Sequence, residues 1–182
     1  MKVNLGAGQD IKSGWVNIDI GASKSPDYLQ WDLSKGLPSY IREADMFYSS
    51  HFWEHLEEKE ANALGRLCVE RLKSGGVFRV SVPDFELICR KYLEGDWGFF
   101  DLLHWNNFSE PNRRSFIDVV SYTVYQIQDG VQEHKTIWDS QKLIKHLESY
   151  GLKDVKIVKY DPTIDPGDAA RRRYSLYAEG IK

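Results

Sequence analysis

Val3-Asn4-Leu5-Gly6-Ala7-Gly8, followed by Gly14-Trp15-Val16-Asn17-Ile18-Asp19, is the stretch on which the reading of the fold turns. A short apolar run ending in Gly-Ala-Gly is a strand that turns sharply, because glycine adopts backbone conformations closed to other residues and lets the main chain approach a ligand. Residues 15–20 alternate and end in Asp19-Ile20, which makes a second strand with a carboxylate at its tip. Ten residues separate Gly8 from Asp19 and they include Gly14, so the first helix that a dinucleotide unit would place there is very short. Without that helix a pyrophosphate loses its anion site at a helix N-terminus, which argues against a nicotinamide cofactor.

Outward from this stretch, residues 28–33, 44–48, 77–82, 155–160 and 174–178 read as five further strands, the fourth strand of the chain running into Ser49-Ser50. Residues 57–73 carry Ala61, Leu64, Leu67, Cys68 and Leu72 on one helical face, with Ser74-Gly75-Gly76 as the stop. Residues 85–93 and 140–150 repeat helical spacing. Strands alternating with helices predict an α/β, doubly wound and mainly parallel seven-stranded sheet. The last two strands have no helical pattern between them, which predicts an antiparallel strand at the C-terminus. The 182 residues suit one domain, 1–182. Within it, 95–135 is an aromatic-rich insertion after the fifth strand, with Trp97, Phe99, Phe100, Trp105, Phe108, Phe116, Tyr122 and Tyr125; it reads as a lid over an acceptor or as a satellite core.

Composition narrows the partners. A net charge of −3 gives no general attraction to phosphate backbones, and Arg171-Arg172-Arg173 is short enough to be a solvated strand entry, so nucleic acid is a poor fit. No apolar run reaches the length that crosses a bilayer. The chain passes from Met1-Lys2 straight into the first strand, leaving no export signal. Cys68 and Cys89 sit among apolar neighbours and read as buried thiols, which fits a cytoplasmic protein.

A carboxylate at the tip of the second strand is placed to accept from both hydroxyls of a ribose. Asp32, at the end of the third, is placed to accept from the exocyclic amine of adenine, with the Leu33 N–H available to a ring nitrogen. An ordinary turn with Asp19 capping a loop is the alternative. The stretches quoted at the outset, together with Trp31-Asp32-Leu33, Ser50-His51-Phe52-Trp53-Glu54-His55-Leu56 and Leu72-Lys73-Ser74-Gly75-Gly76, occur in an order that resembles the class I S-adenosylmethionine-dependent methyltransferases. The likeness is strongest to short members with a His-x-x-Glu-His-Leu segment, and it runs from Lys2 to about Asp84, with Ser175-Leu176-Tyr177-Ala178-Glu179 resembling the closing strand. It implies S-adenosylmethionine as cofactor, contacts at Gly6, Gly8, Asp19, Asp32 and Leu33 with Ser50 beside them, and methyl transfer to oxygen or nitrogen of a small-molecule or carbohydrate acceptor. The sequence departs from the pattern at Gln9-Asp10, where a third glycine is usual, and in the shortened first helix. A noncatalytic adenosyl-binding module is the alternative from another class.

Were Ser50 to cap a helix, His51, Glu54 and His55 at i, i+3 and i+4 would share one face near the cofactor. His51 is then a candidate general base, with His134 as a second catalytic candidate. The trio is equally a candidate divalent-metal site completed by His134 or His104, since a similar Glu-x-x-Glu-His arrangement occurs in metal-dependent O-methyltransferases. Its spelling also matches the inverted zinc-peptidase motif, a hydrolase reading that leaves the glycine loop without a use. Glu54 and His55 serving only to fix the helix start is the remaining reading.

Overall fold

Short apolar runs punctuated by glycine and proline become strands, and periodic runs become helices. The computed structural model describes residues 1–104, 115–128 and 131–182. In chain order the elements are β1 (Lys2–Leu5), β2 (Val16–Asp19), β3 (Tyr28–Gln30), β4 (Ala44–Ser50), α1 (Glu58–Arg71), β5 (Leu72–Pro83), α2 (Phe85–Leu93), α3 (Trp97–His104) and α4 (Phe116–Tyr125). A small hairpin of β6 (Ile127–Gln128) and β7 (Val131–Gln132) precedes α5 (Ser140–Ser149), β8 (Lys153–Val158), α6 (Ala169–Tyr174) and β9 (Ser175–Ile181). Trp105 and Phe108 lie outside the described residues, as does the side chain of His104.

The main sheet has seven strands in the order β3-β2-β1-β4-β5-β9-β8. All pairings among the first five are parallel, and β9 is antiparallel to both β5 and β8. This is the expected mainly parallel sheet with an antiparallel C-terminal strand. The strand order reverses direction between β1 and β4, and an open α/β sheet presents a crevice at the carboxyl ends of its strands at such a switch point.

Several boundaries differ from the sequence reading. The first connection has no helix: residues 6–15 are turns. Two buried amides brace it, Asn4 Nδ2 donating to the Asp10 carbonyl at 2.8 Å and Asn17 Oδ1 accepting from Lys12 N at 2.9 Å, with Asn4 Nδ2 on Asn17 Oδ1 at 3.0 Å. Helix α1 ends at Arg71, and Gly75, with φ +77°, lies within β5, where the register steps from Leu72 opposite Ala44 to Val77 opposite Met46. Those glycines make a bulge in the strand rather than a helix stop. The basic run belongs to α6, not to a strand entry. Cys68 is buried as expected, while Cys89 is only half-buried.

One face of the sheet, with Val3, Leu5, Ile18, Phe47, Phe78 and Val80 fully buried, forms a core with Leu64 and Cys68 of α1 and Leu143 and Leu147 of α5. Burying each such side chain contributes roughly 1.5 to 3 kcal/mol. The other face carries Asn4, Asn17, Tyr48, Arg79 and Tyr177, and loops cover it. Trp15 stands edge-on to Tyr48, Asp165 pairs with Arg79 at 2.5 Å, and Tyr160 packs on Tyr177. A second core of Ile88, Phe99, Phe100, Val119, Val120, Val124 and Tyr174 joins α2, α3, α4 and α6. Among the described residues no helix is long and apolar enough to cross a membrane.

Candidate functional site

The carboxyl ends of β1 to β4 open into one cavity of 600 Å³, lined by Gly6, Gly8, Asp19, Asp32, Leu33 and Ser50, which are the six expected cofactor positions. The volume suits a nucleoside-sized ligand. Gly6 and Gly8 both take left-handed φ, +65° and +50°, but for different neighbours: a Cβ on Gly6 would stand 2.3 Å from the Phe52 ring, whereas one on Gly8 would meet nothing within 4 Å. Gly6 makes room for Phe52, and Gly8 faces the open cavity.

Asp19 holds the mouth together. Its Oδ2 accepts from Gly8 N and its Oδ1 from Gly21 N, both at 2.9 Å. Asp32 lies two residues beyond β3, which is shorter than expected, and caps a single 3-10 turn at Leu33–Lys35 by accepting from Ser34 N at 3.0 Å. The Ser34 hydroxyl and Lys35 ammonium hold its carboxyl below the usual carboxylate range. Ile20 and Trp31 flank this part of the cavity and are exposed.

Past Ser50 the expected helix is absent. Strand β4 runs on to Ser50, which pairs with Ser81 of β5 and accepts a hydrogen bond from the Ser81 hydroxyl at 3.0 Å, so Ser50 caps nothing. His51 follows with a left-handed φ of +51°, and Trp53–His55 forms one 3-10 turn anchored by Trp53, buried edge-on against Phe78. His51, Glu54 and His55 therefore share no helical face. They converge by another route, with His134.

Glu54, 1% exposed, sits among three imidazoles. His51 Nδ1 is 3.3 Å from Glu54 Oε1, within ion-pair distance but not aligned as a hydrogen bond, and His134 Nε2 is 4.0 Å away. Both carboxylate oxygens are buried with no hydrogen-bond partner among the described residues. Burial would raise the Glu54 carboxyl, but His51, His134 and His55 hold it below the usual range; burial pushes the His134 imidazole down, against the pull of Glu54. Three further ring nitrogens are engaged. His51 Nε2 lies 2.7 Å from Ser175 Oγ, whose own proton goes to the Arg171 carbonyl at 2.5 Å, so the imidazole donates. His134 Nδ1 donates to the Val124 carbonyl at 2.9 Å and His55 Nδ1 to the Glu133 carbonyl at 3.1 Å. A carbonyl only accepts, so in a neutral His55 or His134 the lone pair is left on Nε2. Glu54, His55 and His134 each present one ligand atom within 4.8 Å of the others.

Sequence reasoning missed several residues of the site. Asn4 and Asn17, which brace the turns behind the glycine loop, each stood between apolar neighbours, a signal of a buried polar group, while Lys135, Arg171 and Ser175 gave none because chain crossings bring them here.

No protein-family model matches the chain, and no curated protein matches it either. Its structure is similar to that of an S-adenosylmethionine-dependent methyltransferase from Archaeoglobus fulgidus, at 15% identity and TM-score 0.58, covering 100% of this chain and 85% of that one. An S-adenosylmethionine-dependent methyltransferase from Mesorhizobium loti matches at 18% identity and TM-score 0.53, covering 100% and 90%. Human N-acetylserotonin methyltransferase in complex with S-adenosylmethionine matches at 12% identity and TM-score 0.55, covering 100% of this chain and 47% of that one. The chain has the α/β fold of the class I S-adenosylmethionine-dependent methyltransferases.

Proposed function

We propose that the protein is an S-adenosylmethionine-dependent methyltransferase whose acceptor is an oxygen or nitrogen of a small molecule or carbohydrate. The observation that carries this reading is the single cavity in which Gly8, Asp19 and the Asp32-Leu33 pair stand at successive strand ends and which continues past Ser50 to His51 and His55. Asp19 would take the ribose hydroxyls, Ile20 and Trp31 the faces of adenine, Asp32 its amine, and Gly6 to Gly8 the amino-acid end. The turns at residues 6–15 offer no helix N-terminus to a pyrophosphate, which supports an adenosyl amino acid over a dinucleotide. Methyl transfer from a sulfonium needs mainly an in-line nucleophile held close, so walls and strand ends can supply most of the catalysis. The 95–135 insertion would form the acceptor wall, with Glu133 and Lys135 on the cavity and the aromatic core behind them. The free cysteines support a cytoplasmic setting.

At the acceptor end the reading includes a divalent cation on Glu54, His55 and His134. These residues fit one: a buried carboxylate lacks hydrogen-bond partners, and two imidazoles are fixed through Nδ1 on backbone carbonyls, the way metal-bound histidines are commonly oriented. Such a cation would supply Lewis acidity to an acceptor hydroxyl that reaches it past His55, the one of the three that lines the main cavity. The same geometry weighs against His51 as a direct base, because Nε2 is engaged by Ser175 and Nδ1 faces Glu54. It weighs against His134 as well, which with Glu54 lines a small adjoining space of 10 Å³ and not the main cavity. The peptidase reading loses its geometry with the helix.

Calorimetry with S-adenosylhomocysteine tests the cofactor assignment. Ligand at a hundredfold above its Kd should stabilise the fold by ~2.7 kcal/mol, whereas equal stabilisation by NAD and none by S-adenosylhomocysteine would refute it. Methyl transfer from labelled S-adenosylmethionine to any metabolite fraction would separate an enzyme from a noncatalytic binding module.

A further inference from the structure

The lysine and arginine on the cavity wall gather at one end of it. The adenosine end carries Asp19 and Asp32, and the acceptor end carries Lys135 and Arg171. Both cations are held against the His51–His55 turn. The Arg171 carbonyl accepts from Ser175 Oγ, which contacts His51, and the Lys135 N–H donates to the Glu54 carbonyl at 2.7 Å. Arg79, Lys12 and Lys142 are by contrast paired, with Asp165, Asp10 and Glu58. Lys135 and the Arg171 side chain make no ion pair with any described residue. Of the acidic residues on the same wall, Glu60 is spent on the N-terminus of α1, accepting from Glu57 N at 2.9 Å, and Glu133 lies 3.9 Å from His55. A charge left unpaired at a ligand wall favours a ligand of opposite sign.

Resting on the cofactor assignment, we infer that the acceptor bears an oxyanion, a carboxylate or a phosphate monoester, which Arg171 and Lys135 bind while the nucleophilic atom faces the methyl group. Arginine offers a fork that matches either oxyanion, and lysine adds a point charge.

The test uses protein saturated with S-adenosylhomocysteine, in chelator so that no cation holds the anion, titrated with benzoate, phenyl phosphate and neutral benzamide. At least one anion should bind no less than about tenfold more tightly than benzamide, and whichever anion prevails names the oxyanion. Arg171→Gln and Lys135→Gln should each weaken that anion by about tenfold while leaving S-adenosylhomocysteine affinity within about twofold. Benzamide binding as tightly as both anions, or neither anion binding at millimolar concentration, overturns the inference. So does a loss of S-adenosylhomocysteine affinity in the variants with methylthioadenosine affinity unchanged, because the two cations would then serve the carboxylate of the cofactor. Failure of S-adenosylhomocysteine to bind the unaltered protein refutes the cofactor reading instead, and anion titration of the free protein still reads the two cations.

Discussion

Asp19 Oδ2 accepts the backbone N–H of Gly8 at 2.9 Å, so the carboxylate proposed to read a ribose also fixes the glycine loop over which the rest of the cofactor would lie. Its second oxygen does the same for Gly21. Asp19→Ala therefore loses the diol contacts and loosens two turns at once. Calorimetry should show S-adenosylhomocysteine binding weakened roughly ten- to a hundredfold, and melting should register a stability loss of about 1 kcal/mol, kept small by the half-exposed setting. Unchanged affinity in Asp19→Ala would move the ribose site elsewhere.

Gly6 and Gly8 should separate stability from binding. Both occupy left-handed backbone, which costs an alanine about 1 to 2 kcal/mol. Gly6→Ala adds a clash with Phe52, so its melting temperature should fall by about 5 °C or more, and it should cost less in a Phe52→Gly background, which removes both the ring and the Phe52 Cβ that would stand 2.5 Å from the added methyl. Gly8→Ala has open space, so it should melt within a few degrees of the parent yet bind S-adenosylhomocysteine more than about tenfold more weakly. Equal effects of the two substitutions on both readouts would contradict this division.

Much of this site was legible because its signals are local. Gly6 and Gly8 demand backbone freedom, Asp19 ends an alternating run, and the stripe of Ala61, Leu64 and Cys68 has only one way to face a core. What escaped depends on pairing across the sheet. Ser50 has the chemistry of a helix cap, but β5 runs alongside and takes it as a strand residue through Ser81, forcing the turn at His51 that brings Glu54 to His134. Likewise Arg171-Arg172-Arg173 reads in one dimension only as a solvated run, and all three are indeed exposed. Only the insertion of β9 between β5 and β8 carries Arg171 to the carboxyl ends of the strands and into the cavity wall.

Acid should destabilise the protein through two histidines before its carboxylates respond. Burial pushes His134 and His146 below the ordinary histidine value of 6.5, with Glu54 and Glu58 opposing in part. The unfolded chain thus binds more protons than the folded one just below pH 6.5, and stability rises with pH through that window. Carboxylates such as Asp45, held at about 2 by Lys73 and the terminal ammonium, lose their contribution only at lower pH. In chelator, the urea midpoint should be lower at about pH 5.5 than at about pH 7.5, and His146→Gln should narrow the difference. A flat midpoint across this range would show that the two imidazoles titrate alike in both states.

The cation reading makes the sharpest demand, because it assigns different roles to neighbouring residues of one turn. Glu54, His55 and His134 would be ligands, whereas His51, tied to Ser175 and beside Glu54, would not. Titration with magnesium, manganese and zinc should reveal one site, and anomalous scattering should place it between Glu54 and His134. Glu54→Gln replaces a buried carboxylate by an amide of the same shape and should weaken the cation by at least about a hundredfold, more than is typical for loss of an outer partner. His55→Gln should act similarly. His51→Gln should retain the ion, and all three variants should keep S-adenosylhomocysteine, since none holds the adenosine end. Binding of no cation at millimolar concentration with cofactor present would eliminate the site, and loss of the ion in His51→Gln alone would redraw its ligand set. Were no cation to bind and His51→Gln to keep full turnover, the turn would be left with the structural task that Trp53 already performs.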